Sequence, residues 1–193
     1  DATLAPGHAY VVMENVYDKL QLLDCAGGFA RPRDQKPITR WEFAAPGPNP
    51  SVQFALFLEL CGWLVERATG RPARVLDVGC GTATHLAELG AFGAVTGVDF
   101  SPRVVEACRE SDPEGRATYV CADALDLPFE AGSFDVVLDK GCLDCFVSSE
   151  TARYAPRDRY LCEVARVLGD GGVFVVTSVC GADVVSLLSD GVA

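Results

Sequence analysis

The stretch RVLDVGCGTATHLAELG, Arg74 to Gly90, decides the fold. An apolar run reaches an acid at Asp77, breaks at Gly79 and Gly81, and resumes as a helical pattern over Thr84–Leu89. Strand, glycine turn and helix in that order set a ligand loop at the carboxyl end of a strand. Glycines in such a loop let backbone approach a ligand closely. A dinucleotide loop reads G-x-G-x-x-G, but the third glycine place here holds Thr84. Pyrophosphate also favours a helix N-terminus without neighbouring negative charge, and Asp77 stands two residues before the turn. The acid suits a ligand with a positive end, so a nicotinamide-dependent oxidoreductase is the least favoured reading.

Working outward, short apolar runs alternate with helical stretches. The runs are Arg74–Val78, Ala94–Asp99, Thr118–Ala122, Phe134–Asp139 and Val173–Val179. Between them, Pro102–Glu110 and Arg153–Leu168 read as helices, with Thr84–Leu89 before them. Continuous apolar strands that alternate with helices predict an α/β fold, a Rossmann-like doubly wound parallel sheet covered on both faces. Asp77 and Asp99 then fall at the ends of the first two of these strands, where a carboxylate at the second can take both hydroxyls of a ribose. Either acid could instead simply cap a helix.

Before Arg74 the pattern differs. Val12, Met13, Val16, Tyr17, Leu20 and Leu23 recur at three- and four-residue steps, which predicts an amphipathic helix over Tyr10–Leu23. After a passage rich in Gly and Pro, Ser51 is an N-cap candidate for a second helix that runs to about Thr69 and stops at Gly70. The expected organisation is a helical N-terminal segment over 1–70 and a ligand-binding domain over 71–193. The chain begins at Asp1 without Met and ends at Ala193, which suggests a fragment or an unusual gene product.

Composition narrows the function. The 193 residues are 49% hydrophobic and 22% charged, as in an ordinary globular chain. A net charge of −11 repels polyphosphate and argues against nucleic acid as a partner. The apolar stretch Phe54–Val65 is broken by Glu59 and too short for a bilayer, so no membrane span is expected. Nine cysteines form no evident disulfide framework, and most sit in apolar runs as small hydrophobes. Cys142 and Cys145 make a C-x-x-C, but zinc would need two further ligands and the chain has only His8 and His85 as histidines. No metal is expected, and a reduced, cytoplasmic chain is.

The segment from Arg74 to Val179 resembles the class I S-adenosylmethionine-dependent methyltransferases. VLDVGCGT is similar to the family's first motif and VTGVDFS to its second. VCADALDLPFEAGSFDVVLDKG is similar to the next two, and EVARVLGDGGVFVVTS to the family's subsequent helix and fifth strand. The resemblance implies S-adenosylmethionine as cofactor, whose methionine end carries the ammonium group that Asp77 would meet. It further implies that Gly79, Cys80 and Gly81 line the methionine portion and that Asp99 holds the ribose hydroxyls. Phe100 would pack on the adenine, with Asp123 accepting from its amino group and Ala124 beside it. Asp139 and the Lys140–Gly141 turn would border the methyl group. Ala83 stands where many members have a third glycine. Because an amine must lose a proton before it attacks, Asp139 and Asp144 are the candidate catalytic carboxylates.

The fourth motif reads DKGCLDCF, without the proline pair typical of nucleic-acid adenine methyltransferases. VVLDKGCLD is similar to the DKGTLD stretch of lysine methyltransferases that modify translation elongation factor. A basic or lysine-bearing protein substrate suits an acidic enzyme. The N-terminal segments HAYVVMENVYDKLQLLDC, KPITRWEFA and NPSVQFALFLELCGWLVERATGRP resemble the opening of an intraflagellar-transport complex B subunit with a calponin-homology-like domain. That resemblance covers about His8–Pro72 and implies ciliary transport partners, with the cilium as the alternative location. A fusion, two joined reading frames, or the helical cover of a methyltransferase would each account for it. The sheet ends soon after its fifth strand, so the closing strands of the family are absent and an exposed apolar edge is expected. A non-catalytic adaptor is therefore the alternative to an enzyme.

Overall fold

A computed structural model describes residues 9–16, 19–26, 41–43, 71–82, 86–90, 93–147 and 154–178, together with Val184 and Leu188. Eight strands form one sheet: β1 (Ala9–Val16), β2 (Lys19–Ala26), β3 (Trp41–Phe43), β4 (Ala73–Val78), β5 (Gly93–Asp99), β6 (Ala117–Cys121), β7 (Phe134–Lys140) and β8 (Leu168–Ser178). Their spatial order is β3-β2-β1-β8-β7-β4-β5-β6. From β6 to β8 every pairing is parallel. The helices are α1 (Leu86–Leu89), α2 (Pro102–Ser111), α3 (Asp144–Val147) and α4 (Tyr154–Val167). The doubly wound sheet expected from the alternating runs is present, and its order reverses between β4 and β7, the place where such sheets bind ligands.

The helices form where the sequence offers a start and an apolar stripe. α2 begins after Ser101, whose extended backbone (φ −88, ψ 114) stops the strand, and Pro102 supplies a preset first helical residue. It buries Val105 and Cys108, one turn apart. α4 buries Tyr160, Leu161, Val164 and Val167, a stripe at steps of one, three and three. That stripe closes the core over Leu76, Val78, Val98, Val137, Phe174 and Val176 of the sheet. At the opposite end of the strands, Asp135 of β7 clamps the entry to β4. It accepts from Arg71 Nη1 and Nη2 at 2.9 and 2.7 Å, and from the Arg74 guanidinium and backbone N–H.

The N-terminal expectation is corrected by the structure. Instead of a helix over Tyr10–Leu23, β1 and β2 form an antiparallel pair, and β3 adds to β2. β1 in turn runs parallel to β8, from Ala9 opposite Val173 to Glu14 opposite Ser178. The edge of β8, expected to be bare, is therefore covered. The apolar spacing fits a helix, but β-branched Val11, Val12 and Val16 also suit a strand, and an unpaired row of backbone groups on β8 rewards pairing. Such a non-local demand outweighs a local period. The second helix expected over Ser51–Thr69 lies outside the described residues.

Candidate functional site

Three acids end adjacent parallel strands: Asp77 on β4, Asp99 on β5 and Asp139 on β7, all within 8% of full burial. Between the first two runs the glycine turn. Gly79 and Gly81 have φ of +67 and +57, a region that side chains with a Cβ rarely adopt. The intervening Cys80 donates its N–H to Val98 O at 2.9 Å, and its side chain is fully buried. Its Sγ sits where a Cβ on Gly97 would come within 3.1 Å, so the turn needs that glycine in β5 as well. Cys80 thus offers a ligand its backbone, not its thiol, whose pKa burial and the charge of Asp77 drive up.

Asp99 ties the turn to the start of α2. Its Oδ2 accepts the Gly81 N–H at 3.1 Å and its Oδ1 accepts the Ser101 N–H at 2.9 Å. Cys108 of α2 donates its S–H to Gly81 O at 3.1 Å. The outer face of Gly81 is open: a Cβ there would meet nothing within 4 Å. Next to Asp99, the Phe100 side chain is 81% exposed, and no other large hydrophobic is exposed among the described residues. Asp123, after β6, is exposed and accepts the Leu125 N–H at 2.9 Å, while Ala124 packs against the core. Backbone joins these two places, with Ala122 N–H donating to Asp99 O at 3.1 Å.

The features fit S-adenosylmethionine. A bare aromatic face beside an exposed carboxylate suits adenine, and Asp99 lies between that face and the open turn. Buried acids at the turn suit the cationic end, whose positive charge offsets theirs in a low-dielectric site. The charge of Asp77 adds to the burial that raises the Asp139 pKa.

Asp139 organises the turn at the end of β7. Its Oδ1 accepts the Cys142 N–H and its Oδ2 the Leu143 N–H, each at 2.8 Å. Tyr160 of α4 donates its hydroxyl to Oδ2 at 2.5 Å. Burial pushes the Asp139 pKa up to about 7 against the pull of these three donors, and burial with the Asp139 charge drives Tyr160 well above its usual value. The turn then passes through Gly141 (φ +84) into α3. Its Cys142 lies on the glycine turn: a Cβ on Gly79 would be 2.9 Å from both Cys142 Cβ and Sγ. Asp144, half-buried at the start of α3, accepts a hydrogen bond from the Ser178 hydroxyl at the end of β8. Lys140 is exposed at the same end of the sheet.

All the expected residues from Asp77 to Asp144 thus lie at or beside the carboxyl ends of β4, β5, β6 and β7. Sequence reasoning missed Tyr160, Cys142 as the neighbour of Gly79, and Ser178. Ser178 stands one residue before the end of the fifth apolar run, so the carboxyl-end rule points to it, whereas Tyr160 reads only as one member of the α4 stripe. Among the described residues no group of His, Cys, Asp and Glu could hold a metal, and no helix is long and apolar enough to cross a membrane.

Residues 76–176 match the family model described as "Methyltransferase domain", and residues 13–103 match that of "Intra-flagellar transport protein 57". The second match runs past the N-terminal segments into the start of α2. Among curated proteins, the chain is similar to the "eEF1A lysine and N-terminal methyltransferase" of Danio rerio, 35% identical over 76% of this chain and 22% of that protein. It is also similar to the "Intraflagellar transport protein 57 homolog" of Xenopus tropicalis, 35% identical over 55% of this chain and 27% of that protein. The chain therefore spans between a fifth and a third of the length of these two relatives. Among solved structures, the PH0226 protein from Pyrococcus horikoshii OT3 aligns with a TM-score of 0.50 and 24% identity, over 64% of this chain and 57% of that one. This last likeness bears on the fold alone.

Proposed function

Since the chain belongs to the methyltransferase domain family, we propose that it transfers a methyl group from S-adenosylmethionine to a lysine amine of a protein. The methyl donor of that family is S-adenosylmethionine. The observation that carries the reading is the joined pair of turns at the switch point: a glycine turn tied by Asp99, and the Asp139–Asp144 turn packed on Gly79. The acceptor class rests on the similarity of DKGCLD to lysine methyltransferases, on the similarity to the eEF1A lysine and N-terminal methyltransferase, and on the net charge of −11, which favours a basic partner.

In this reading Asp99 holds the ribose hydroxyls and Phe100 with Asp123 the adenine. Gly79, Cys80 and Gly81 line the methionine portion through backbone, with Asp77 as its countercharge. When bound, the donor would supply an activated sulfonium methyl, and the acceptor amine would have to give up one proton. The protein's part is alignment and proton removal. Of the two candidate carboxylates, Asp139 is 1% exposed with both oxygens engaged by three donors, so its work is to hold the turn. Asp144, half-buried above that turn, is the carboxylate that receives the amine's proton.

The test is a labelling assay with methyl-tritiated S-adenosylmethionine and purified eEF1A, followed by amino-acid analysis. Label in methyl-lysine supports the reading; label found only in small metabolites of an added extract refutes it. The match of residues 13–103 to the intraflagellar-transport model favours a second reading, an interaction module with ciliary transport partners. Calorimetric titration separates the two, because a pure adaptor gives no heat with millimolar S-adenosylmethionine. The cytoplasm serves the first reading and the cilium the second.

A further inference from the structure

The methyl-transfer chemistry leaves the C-x-x-C of Cys142 and Cys145 unused, and the fold gives its two sulfurs different surroundings. Cys142 Sγ lies on the donor turn, where a Cβ on Gly79 would come within 2.9 Å of it. Burial and the charge of Asp139 drive the Cys142 pKa up, so this thiol keeps its proton. Cys145 is exposed, and its S–H donates to Gly141 O over a long 3.6 Å. The Cys145 N–H donates to Cys142 O at 3.1 Å and closes a single turn. Such a turn holds its end Cα atoms within about 7 Å, and a disulfide needs about 4.4–6.8 Å, so the two cysteines can bond without unfolding α3. The charge of Cys145 also acts on Cys142, which fits two sulfurs in close reach. Cys80 and Cys108 are neighbours too, but both are buried, out of an oxidant's way.

We propose that Cys142 and Cys145 are a modification site, a reversible disulfide whose formation weakens binding of the methyl donor. The consequence for the donor rests on the methyltransferase reading above; the bond itself does not. The oxidant is a peroxide. The Cys145 thiolate attacks one oxygen of hydrogen peroxide, the O–O bond breaks, and a sulfenic acid and hydroxide result. Cys142 sulfur then displaces hydroxide from Cys145 sulfur, and the Cys142 proton leaves with it as water. In sum, two thiols and one peroxide give one disulfide and two waters. Exposure assigns the roles: the oxidant reaches Cys145 first, and the buried Cys142 resolves. Bonding brings the sulfurs to about 2.05 Å from each other, which draws Cys142 Sγ off its seat on Gly79. The turn through Gly79 and Gly81 then loses the neighbour against which its positive-φ backbone is set. In a reducing compartment such a bond is transient, as a switch requires.

The experiment uses the full chain, oxidised with a small excess of hydrogen peroxide and quenched with catalase. Remaining thiols are alkylated with iodoacetamide, and the tryptic peptide from Gly141 to Arg153, which holds both cysteines, is weighed. It should be unalkylated and lighter than the reduced peptide by two hydrogens. The calorimetric Kd for S-adenosylmethionine should rise about tenfold on oxidation and return with dithiothreitol. Cys145→Ser should bind as the reduced parent does and lose no affinity to peroxide. Cys162→Ser, which removes another exposed thiol, should lose affinity as the parent does. A peptide alkylated at both cysteines overturns the proposal, as does Cys145 carried on to sulfinic acid with Cys142 alkylated. So does a disulfide that leaves the Kd unchanged, or a loss of affinity that persists in Cys145→Ser. A reduced parent that gives no heat with millimolar S-adenosylmethionine overturns the methyltransferase reading instead, and the mass of the peptide then decides for the disulfide.

Discussion

Replacing Tyr160 with Phe removes one hydroxyl from a site where it cannot be replaced by water. Tyr160 and Asp139 are 0% and 1% exposed, and their oxygens are 2.5 Å apart. A hydrogen bond to a charged acceptor contributes about 1.5–3 kcal/mol, so that is the loss expected while Asp139 is ionised. Its protonation state depends on pH. Burial holds the folded pKa at about 7, above the 3.8 of a free aspartate. Between those values the folded chain keeps a proton that the unfolded chain has released, so stability falls as pH rises from about 4 to about 7. At 1.36 kcal/mol per unit the total is on the order of 4 kcal/mol. In Tyr160→Phe the carboxylate has one donor fewer, so the decline extends to higher pH. Urea unfolding at pH 5 and pH 8 measures both effects. The variant should lose about 1 kcal/mol at pH 5, where a neutral hydrogen bond is removed, and about 2–3 kcal/mol at pH 8. A loss equal at both values, or larger at pH 5, refutes the assignment of Asp139 as a buried acid held by Tyr160.

Three further substitutions probe the same frame. Gly79→Ala places a Cβ at φ +67 and 2.9 Å from Cys142, so the melting temperature should fall and the calorimetric affinity for S-adenosylmethionine should drop at least about tenfold. Relief by Cys142→Gly should be partial, because the backbone strain remains. Asp99→Ala removes the acceptor for the Gly81 and Ser101 N–H groups along with the proposed ribose partner; unchanged affinity in the same titration would show that the site is misassigned. Asp135→Ala should cost about 2 kcal/mol in urea unfolding at pH 7, below the usual cost of breaking a buried pair because Arg71 and Arg74 are nearly half exposed. Burial opposes the Asp135 charge, but the Arg74 and Arg71 guanidiniums hold its pKa down at about 2. In the parent this stabilisation is present above the free value of 3.8 and fades as pH falls through about 2, so the difference between parent and variant should shrink over that window.

The central sheet and its ligand turn were legible because their residues obey one constraint each. A strand covered on both faces runs apolar through its middle, as in VVL of β7, and a turn at positive φ favours glycine, as at Gly79 and Gly81. The expected strand and helix bounds from Arg74 onward differ from the observed ones by a residue or two, except at β8, which begins at Leu168. There LGDGG reads as a loop, since glycines and an aspartate say nothing of pairing with β7. The hairpin of β1 and β2 was not legible, because the same apolar residues satisfy two periods and the choice falls to the edge of a strand more than a hundred residues away. Nor was the division of labour between Asp139 and Asp144. Sequence puts both acids at the end of β7; only the fold reveals that three donors converge on the first. α3, one turn long, has no apolar stripe to announce it.

The pairing of β1 with β8 also sets an order of events. Ala9 meets Val173, so the first described strand finds its parallel neighbour only at the last one. During synthesis β1 and β2 leave the ribosome well before β8 and can pair with each other, yet their shared place in the sheet does not exist until β8 has been made. A contact of that sequence separation closes a very long loop and is slow to form. The β4–β7 half, built from neighbours in sequence, can assemble beforehand. The hairpin must therefore wait for its seat until β8 has been made, and until then its edges are open to pairing with another chain.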